Sequence, residues 1–263
     1  MKSALLFCSA TALVAAMTVP APAASTDAAI LAAMKLADQP NYSWTASVVR
    51  DSRSYTIEGK TLVGGYTQVT VPASLALPAS NPALRGRVSR GSTESGVVAI
   101  FKGDEKHVVE TSEGWLTPAE FSSLPPAPRT GSGRRRGLVA ELPLTFAISQ
   151  PHEDIGIILG SSVNLRVDDG GIVTGRLSDT AARLLLLPPG QDNVAPEQAA
   201  GNFKFWISDG MLTRYEVQIA GIVSVDAGGS RRLVKTSQTV TTEIKDVGTT
   251  KLNVPVEVKA KLE

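Results

Sequence analysis

Between Asn202 and Pro255 the chain alternates apolar and polar residues with a period of two, which fits a strand and no helix. Phe203, Phe205 and Ile207 occupy odd positions, as do Met211, Tyr215, Val217 and Ile219 beyond the Asp209-Gly210 turn; Lys204, Arg214, Glu216 and Gln218 fill the even ones. Successive strand side chains point to opposite faces, so the pattern predicts a hairpin with one dry face. Val234, Val240 and Ile244 carry that face into a further strand, and Asp246-Val247-Gly248 turns the chain towards Leu252, Val254 and Pro255. This half of the chain is expected to form a curved antiparallel sheet.

Residues 1–24 read as a secretory signal peptide. Lys2 supplies a positive start, Ala4 to Val19 an apolar stretch, and Ala21-Pro22-Ala23 a small-residue cleavage site. The stretch is interrupted by Ser9, Thr11 and Thr18 and ends at Pro20, short of the roughly 20 apolar residues of a membrane span. A periplasmic or secreted protein of residues 25–263 is the expectation, with no transmembrane segment after cleavage. The single cysteine, Cys8, lies within the leader, so the mature chain has no thiol chemistry and no disulfide. Its core must hold itself together, and 43% hydrophobic residues in a chain of 263 make that feasible as one domain.

Charge offers no partner. The 26 lysines and arginines face 25 acids, and losing Lys2 makes the mature chain formally neutral, so no nucleic-acid footprint is present. Arg134, Arg135 and Arg136 lie in the Pro- and Gly-rich stretch 125–137, read as a flexible, solvated loop. The functional alternative is transient contact with anionic lipid head groups at a membrane surface.

Along the chain, Ser25 to Gln39 is predicted helical, with Ser25, Thr26 and Asp27 as capping candidates and Pro40 as the stop. Tyr42, Trp44, Ala46 and Val48 alternate with small polar residues as a strand. Tyr55 to Glu58 and Leu62 to Val71 continue as a meander linked at Gly59 and at Gly64-Gly65, before a Pro- and Ser-rich loop from Pro72 to Gly96. Val97 to Phe101 and His107 to Thr111 form a hairpin, closed by Gly114-Trp115-Leu116. Leu138 to Ile148, Glu153 to Leu159 and Thr180 to Leu187 carry helical spacing, the last capped by Asp179; Val163 to Val167 and Ile172 to Leu177 pair over Asp168-Asp169-Gly170-Gly171. Strands, then helices, then strands give one α+β domain: a single large curved antiparallel sheet, an open half β-barrel, with short helices on its concave side.

The chain offers little for catalysis. His107 and His152 stand in separate segments, without the spacing or the companion acids of a metal site, and read as surface or loop histidines. Gly131-Ser132-Gly133 lacks the context of a nucleophile elbow, and Gly59-Lys60-Thr61 reads as a hairpin turn, since a P-loop would need glycine where Ser54 stands. Asp168-Asp169 could hold calcium, but the following glycines explain the acids as turn formers. Asn41-Tyr42-Ser43 fits a glycosylation sequon, of consequence only in a eukaryotic secretory pathway. The expectation is therefore no enzyme, no cofactor and no metal. What remains is the apolar face itself, either filled by side chains or open to an apolar guest. Trp44, Phe203, Phe205, Met211 and Tyr215 are the ligand-binding candidates, with core packing as each residue's plainer role.

The layout, ending in Lys204-Phe205-Trp206-Ile207-Ser208-Asp209-Gly210-Met211-Leu212-Thr213-Arg214-Tyr215 and later Ile244-Lys245-Asp246-Val247-Gly248, resembles the half-barrel carriers of the bacterial envelope: LolA, LolB and the LppX and LprG type lipoproteins. The resemblance spans most of the mature chain in layout, and in motif Phe203 to Pro255. It implies an open barrel, lidded by helices, whose concave face accepts lipid or lipoprotein acyl chains. LolB and LppX types carry a lipid-bearing cysteine, so a mature chain without one implies the LolA-like arrangement. The alternative is an envelope protein-interaction module with a filled core and no small-molecule ligand.

Overall fold

Two meanders meet side by side in one sheet. The computed structural model describes residues 26–51, 53–72, 96–103, 106–111, 113–123, 150–168, 170–186, 196–227 and 230–263. The expected leader, the Arg-rich loop, the helix Leu138 to Ile148 and most of the loop after Pro72 lie outside them. Helix α1 (Thr26–Met34) runs into a 3₁₀ turn (Lys35–Asp38), followed by β1 (Asn41–Arg50), β2 (Arg53–Leu62), β3 (Tyr66–Val71), β4 (Val97–Lys102), β5 (Lys106–Thr111) and β6 (Gly114–Leu116). Helices α2 (Pro118–Ser123) and α3 (Pro151–Gly160) precede β7 (Ser162–Val167) and β8 (Ile172–Leu177). Then come α4 (Asp179–Leu186), β9 (Glu197–Ser208), β10 (Met211–Ala227), β11 (Ser230–Lys245) and α5 (Val256–Leu262).

The strands form one 11-stranded antiparallel sheet in the order β6-β5-β4-β3-β2-β1-β11-β10-β9-β8-β7. All neighbours in it are consecutive in sequence except β1 and β11, paired from Ser43↔Lys245 to Arg50↔Gln238. The sheet is not closed into a barrel, because β6 and β7 are its two ends. The expected hairpins are present. Asp209 and Gly210, both at positive φ (53° and 70°), make the two-residue turn between Ser208 and Met211 that the strand twist prefers.

One face of the sheet carries the main core. Cross-strand rows run through it: Val173, Phe205, Tyr215, Thr242 and Ala46 in one, and Ile244, Trp44, Gly59, Val69, Ala99 and Val109 in another. Against these rows pack Ala29 and Ala33 of α1, Leu36 of the 3₁₀ turn, Ile155 and Ile158 of α3, and Ala181, Ala182 and Leu186 of α4. The opposite face is mostly polar except over β4 and β5. There Ile100 and Val108 form a second cluster with Val254, Val258 and Leu262, so α5 covers this part of the sheet from the opposite face. The unbroken apolar run Val97-Val98-Ala99-Ile100-Phe101 follows from burial on both faces. Lys106 Nζ donates to the carbonyls of Leu262 (3.2 Å) and Glu263 (3.0 Å), a cation at the C-terminal end of α5.

Several expectations need correction. Gly59 is no link, and Gly59-Lys60-Thr61 is no turn: all three lie inside β2, paired with β1. A Cβ on Gly59 would sit 2.0 Å from Trp44 Cε2, because the indole of its cross-strand partner lies flat over it. Gly175 lies in the same way under Phe203. Glycine in a strand here marks the seat of an aromatic ring. Asp179 is the first residue of α4, and Ser178 caps it, its Oγ accepting from Ala181 N (3.3 Å). Val234 is 43% exposed, since β10 and β11 run on as a two-stranded ribbon beyond the reach of β9 and β1.

Gly59→Ala should destabilise the fold by about 1–3 kcal/mol through overpacking against Trp44. In a Trp44→Leu background the same substitution should cost far less. Urea unfolding of the four proteins of this cycle checks the coupling.

Candidate functional site

The aromatic residues of the dry face form a floor. Trp44, Phe203, Phe205 and Tyr215 are each 5% exposed or less; Phe203 and Phe205 lie 4.9 Å apart between ring centroids, and Tyr215 meets Phe205 edge-on at 6.3 Å. These four candidates share one core. Met211 does not join them. A bulge at Thr213 shifts the register of β10 on β9, so Leu212, 1% exposed, faces the core opposite Ile207 while Met211 pairs with Ser208 and points the other way. The candidate arginines Arg134, Arg135 and Arg136 lie outside the described residues.

A tyrosine or tryptophan on a dry face still needs a partner for its polar atom. Trp44 Nε1 finds Thr61 Oγ1 on the neighbouring strand (3.2 Å). The two tyrosines reach across the core to the first turn of α3. Tyr215 donates its hydroxyl to Asp154 Oδ2 at 2.7 Å. The Tyr42 hydroxyl lies 2.6 Å from His152 Nδ1 and also accepts the His152 main-chain N–H at 3.3 Å. Thr61, the other side chain beside that hydroxyl, already accepts from Trp44 Nε1 and Thr67 Oγ1, which leaves Nδ1 as the acceptor of the Tyr42 proton and the neutral ring's own proton on Nε2. Burial, foremost, raises the pKa of both tyrosines, so both stay protonated donors.

Helix α3 starts where it does because Pro151 fits its first turn and Gln150 and Glu153 form a reciprocal capping box. That start places His152 and Asp154 over the sheet. The large aliphatic side chains α3 buries completely are Ile155 and Ile158. At about 1.5–3 kcal/mol each, they set the scale against which two buried hydrogen bonds of about 1–3 kcal/mol count as a large share. The far side of the helical layer is also apolar, with Leu31, Met34 and Ile157 all more than half exposed.

Neither histidine is the surface or loop residue expected. His107 lies in β5 with its ring stacked on Phe101 at 5.3 Å, and His152 fastens α3. Burial holds both pKa values below the ordinary imidazole value. Asp168 acts as a turn former, its Oδ1 accepting from Gly170 N (3.0 Å) and Ile172 N (2.8 Å). Asn41 begins β1 half-buried, paired with Leu62, which is a poor position for a glycan. On the sheet's other face, Ser43, Thr45, Glu58, Lys60, Gln68 and Thr70 line an open polar depression of about 260 Å³. Among the described residues no group of His, Cys, Asp and Glu is placed to hold a metal, and no helix is long and apolar enough to cross a membrane. Tyr42, His152 and Asp154 were not among the sequence candidates. The available signal was the pair of dry-face tyrosines, whose hydroxyls require polar partners on whatever covers them.

No protein-family model matches this chain, and no curated protein matches it in sequence.

Tyr215→Phe keeps the ring and removes the hydrogen bond to a carboxylate, at an expected loss of about 1.5–3 kcal/mol in denaturant unfolding. For both histidines the folded-state pKa lies below the unfolded one, so the unfolded chain binds more protons as pH falls. Stability should therefore be full above about pH 6.5 and decline below it. His107→Phe and His152→Asn should each remove part of that decline, as read from urea midpoints at several pH values.

Proposed function

We propose that this is an exported, non-enzymatic protein that binds lipid or lipoprotein acyl chains on the aromatic face of its sheet, beneath helix α3. One observation carries the reading: the helix over that face is fastened by polar bonds running through the core, Tyr42 to His152 and Tyr215 to Asp154. A core meant to stay shut has no need of such bonds, since apolar side chains of similar shape in place of a buried polar pair are commonly as stable or more so. Polar fastenings suit a cover that opens, and about 0.8 kcal/mol per buried methylene lets an acyl chain compensate for opening it. In this reading the fold is α+β, the sheet curves around its helices as an open half-barrel, the likeness to LolA-type carriers is functional, and the periplasm is the place of work.

Docking of a protein on a strand edge fits less well. One edge strand, β6, is three residues long; the other, β7, is irregular between Val163 and Arg166, with Asn164 at positive φ. Both are ways of discouraging edge pairing. A second reading, a filled-core interaction module, is favoured by the near-complete burial of Trp44, Phe203, Phe205 and Tyr215.

Titration of residues 25–263 with a fluorescent fatty acid at pH 7.5, with native mass spectrometry of the complex, separates the two. Stoichiometric uptake, accelerated in Tyr42→Phe, is the expected result. No uptake by either protein would sink the carrier reading in favour of the filled core.

A further inference from the structure

Two of the bonds that fasten α3 run from sheet to helix, Tyr42 to His152 Nδ1 and Tyr215 to Asp154, while the His152 main-chain N–H to the Tyr42 hydroxyl runs back. The donors, Tyr42 and Tyr215, are 0% and 2% exposed and hold their protons. The acceptors are an imidazole nitrogen and a carboxylate, groups that lose acceptor capacity on protonation. Imidazole titrates near neutrality and carboxylates in stronger acid, so the Tyr42–His152 bond is the first to fail as pH falls.

We infer that His152 is a pH-sensitive latch, which holds α3 on the aromatic floor when neutral and releases it when protonated at Nδ1. A proton on Nδ1 would point at the Tyr42 hydroxyl, whose oxygen is 2.6 Å away and already receives the His152 main-chain N–H. The hydroxyl proton would have to turn from Nδ1 towards Thr61, its other side-chain neighbour, whose oxygen already accepts from Trp44 Nε1 and Thr67 Oγ1, and an unmade buried hydrogen bond favours moving the helix instead. The charged groups on the surrounding elements are Glu153 and Asp154 on α3 itself, Asp27 on α1, and Lys35 and Asp38 on the 3₁₀ turn. Of these Glu153 acts on the ring, favouring its protonated form, and burial opposes it more strongly. The neutral, latched ring is thus the resting state, with the opposing charge that eases protonation one residue away. The inference rests on α3 being the cover of the proposed ligand face, and names what would regulate it.

Trp44 belongs to the same buried cluster as Ile155 and Ile158 of α3 and reports on its opening. In a Trp115→Phe/Trp206→Phe background it is the remaining tryptophan, and acrylamide quenching from pH 7.5 to 4.5, with far-UV circular dichroism in parallel, follows its exposure. The expected result is a loss of Trp44 protection between about pH 6.5 and 5 with the circular dichroism unchanged. His152→Asn, which keeps an acceptor near Nδ1 but does not titrate there, should shift that loss by about one pH unit or more towards acid. Tyr42→Phe should leave Trp44 unprotected already at pH 7.5. A loss at the same pH in the parent and in His152→Asn overturns the latch, as does Trp44 protection throughout or exposure only with general unfolding. No ligand enters this experiment. Acid opening without any fatty-acid uptake would sink the binding reading and leave the latch, whereas uptake with no histidine-dependent opening would do the reverse.

Discussion

The pairing of β1 with β11 is the constraint on which the rest of the structure depends. Every other neighbouring pair is consecutive in sequence, so β1 to β6 and β7 to β11 are two separate meanders. Only the register from Ser43↔Lys245 to Arg50↔Gln238 makes one sheet of them. It also aligns Trp44 with Ile244 and Ala46 with Thr242, so the two dry faces become one. A slip of one residue would turn Tyr42, Trp44, Ala46 and Val48 to the polar side, and the burial of these four is what fixes the register. The partners are about 200 residues apart in sequence, as the Ser43↔Lys245 pair shows, so this contact carries the largest loop-closure entropy and forms late or slowly relative to the hairpins.

That single dry face has to accommodate bulky rings between strands and helices, and it does so by omission as well as by packing. Gly59 under Trp44 and Gly175 under Phe203 let an indole and a phenyl ring lie against backbone. The helices can then approach with small residues, Ala29 and Ala33 of α1 and Ala181 and Ala182 of α4. Helix α3 differs, because it meets the sheet with isoleucines and with the acceptors for two tyrosine hydroxyls. Removing water from those hydroxyls commits the fold to satisfying them, so the polar contacts are a requirement created by choosing tyrosine over phenylalanine at positions 42 and 215.

How much of this can be read in the sequence depends on whether local pattern and tertiary contact agree. They agree in β9 to β11 and in the Asp-Gly hairpin, where a period of two coincides with one buried face. At Met211-Leu212 both residues are apolar, so the pattern carries no record of the bulge that exchanges their faces. Gly59 has the composition of a turn, and only the indole above it explains a glycine inside a strand. Val234 has the right parity, but nothing among the described residues covers that part of the ribbon. Val256-Glu257-Val258-Lys259-Ala260-Lys261-Leu262 alternates like a strand, yet it is a helix after Pro255: Val258 and Leu262, four apart, are buried, and Val256 is 83% exposed. The floor residues were legible because burial is written in periodicity. Their polar fastening was not, since His152 and Asp154 stand 110 and 61 residues from the tyrosines they meet.

The same contrast bears on where the molecule can open. A strand in the middle of the sheet has a ladder on each side, and separating any two breaks many hydrogen bonds at once. Helix α3 keeps its own backbone bonds wherever it goes, and gives up the burial of Pro151, Ile155 and Ile158, the packing of Leu159 and its bonds to Tyr42 and Tyr215 when it lifts. Local opening therefore costs a fraction of global unfolding, and it is drawn from the low-stability end of the structure. If any element of this fold exchanges its contacts for a guest while the sheet stays intact, the physical chemistry selects α3.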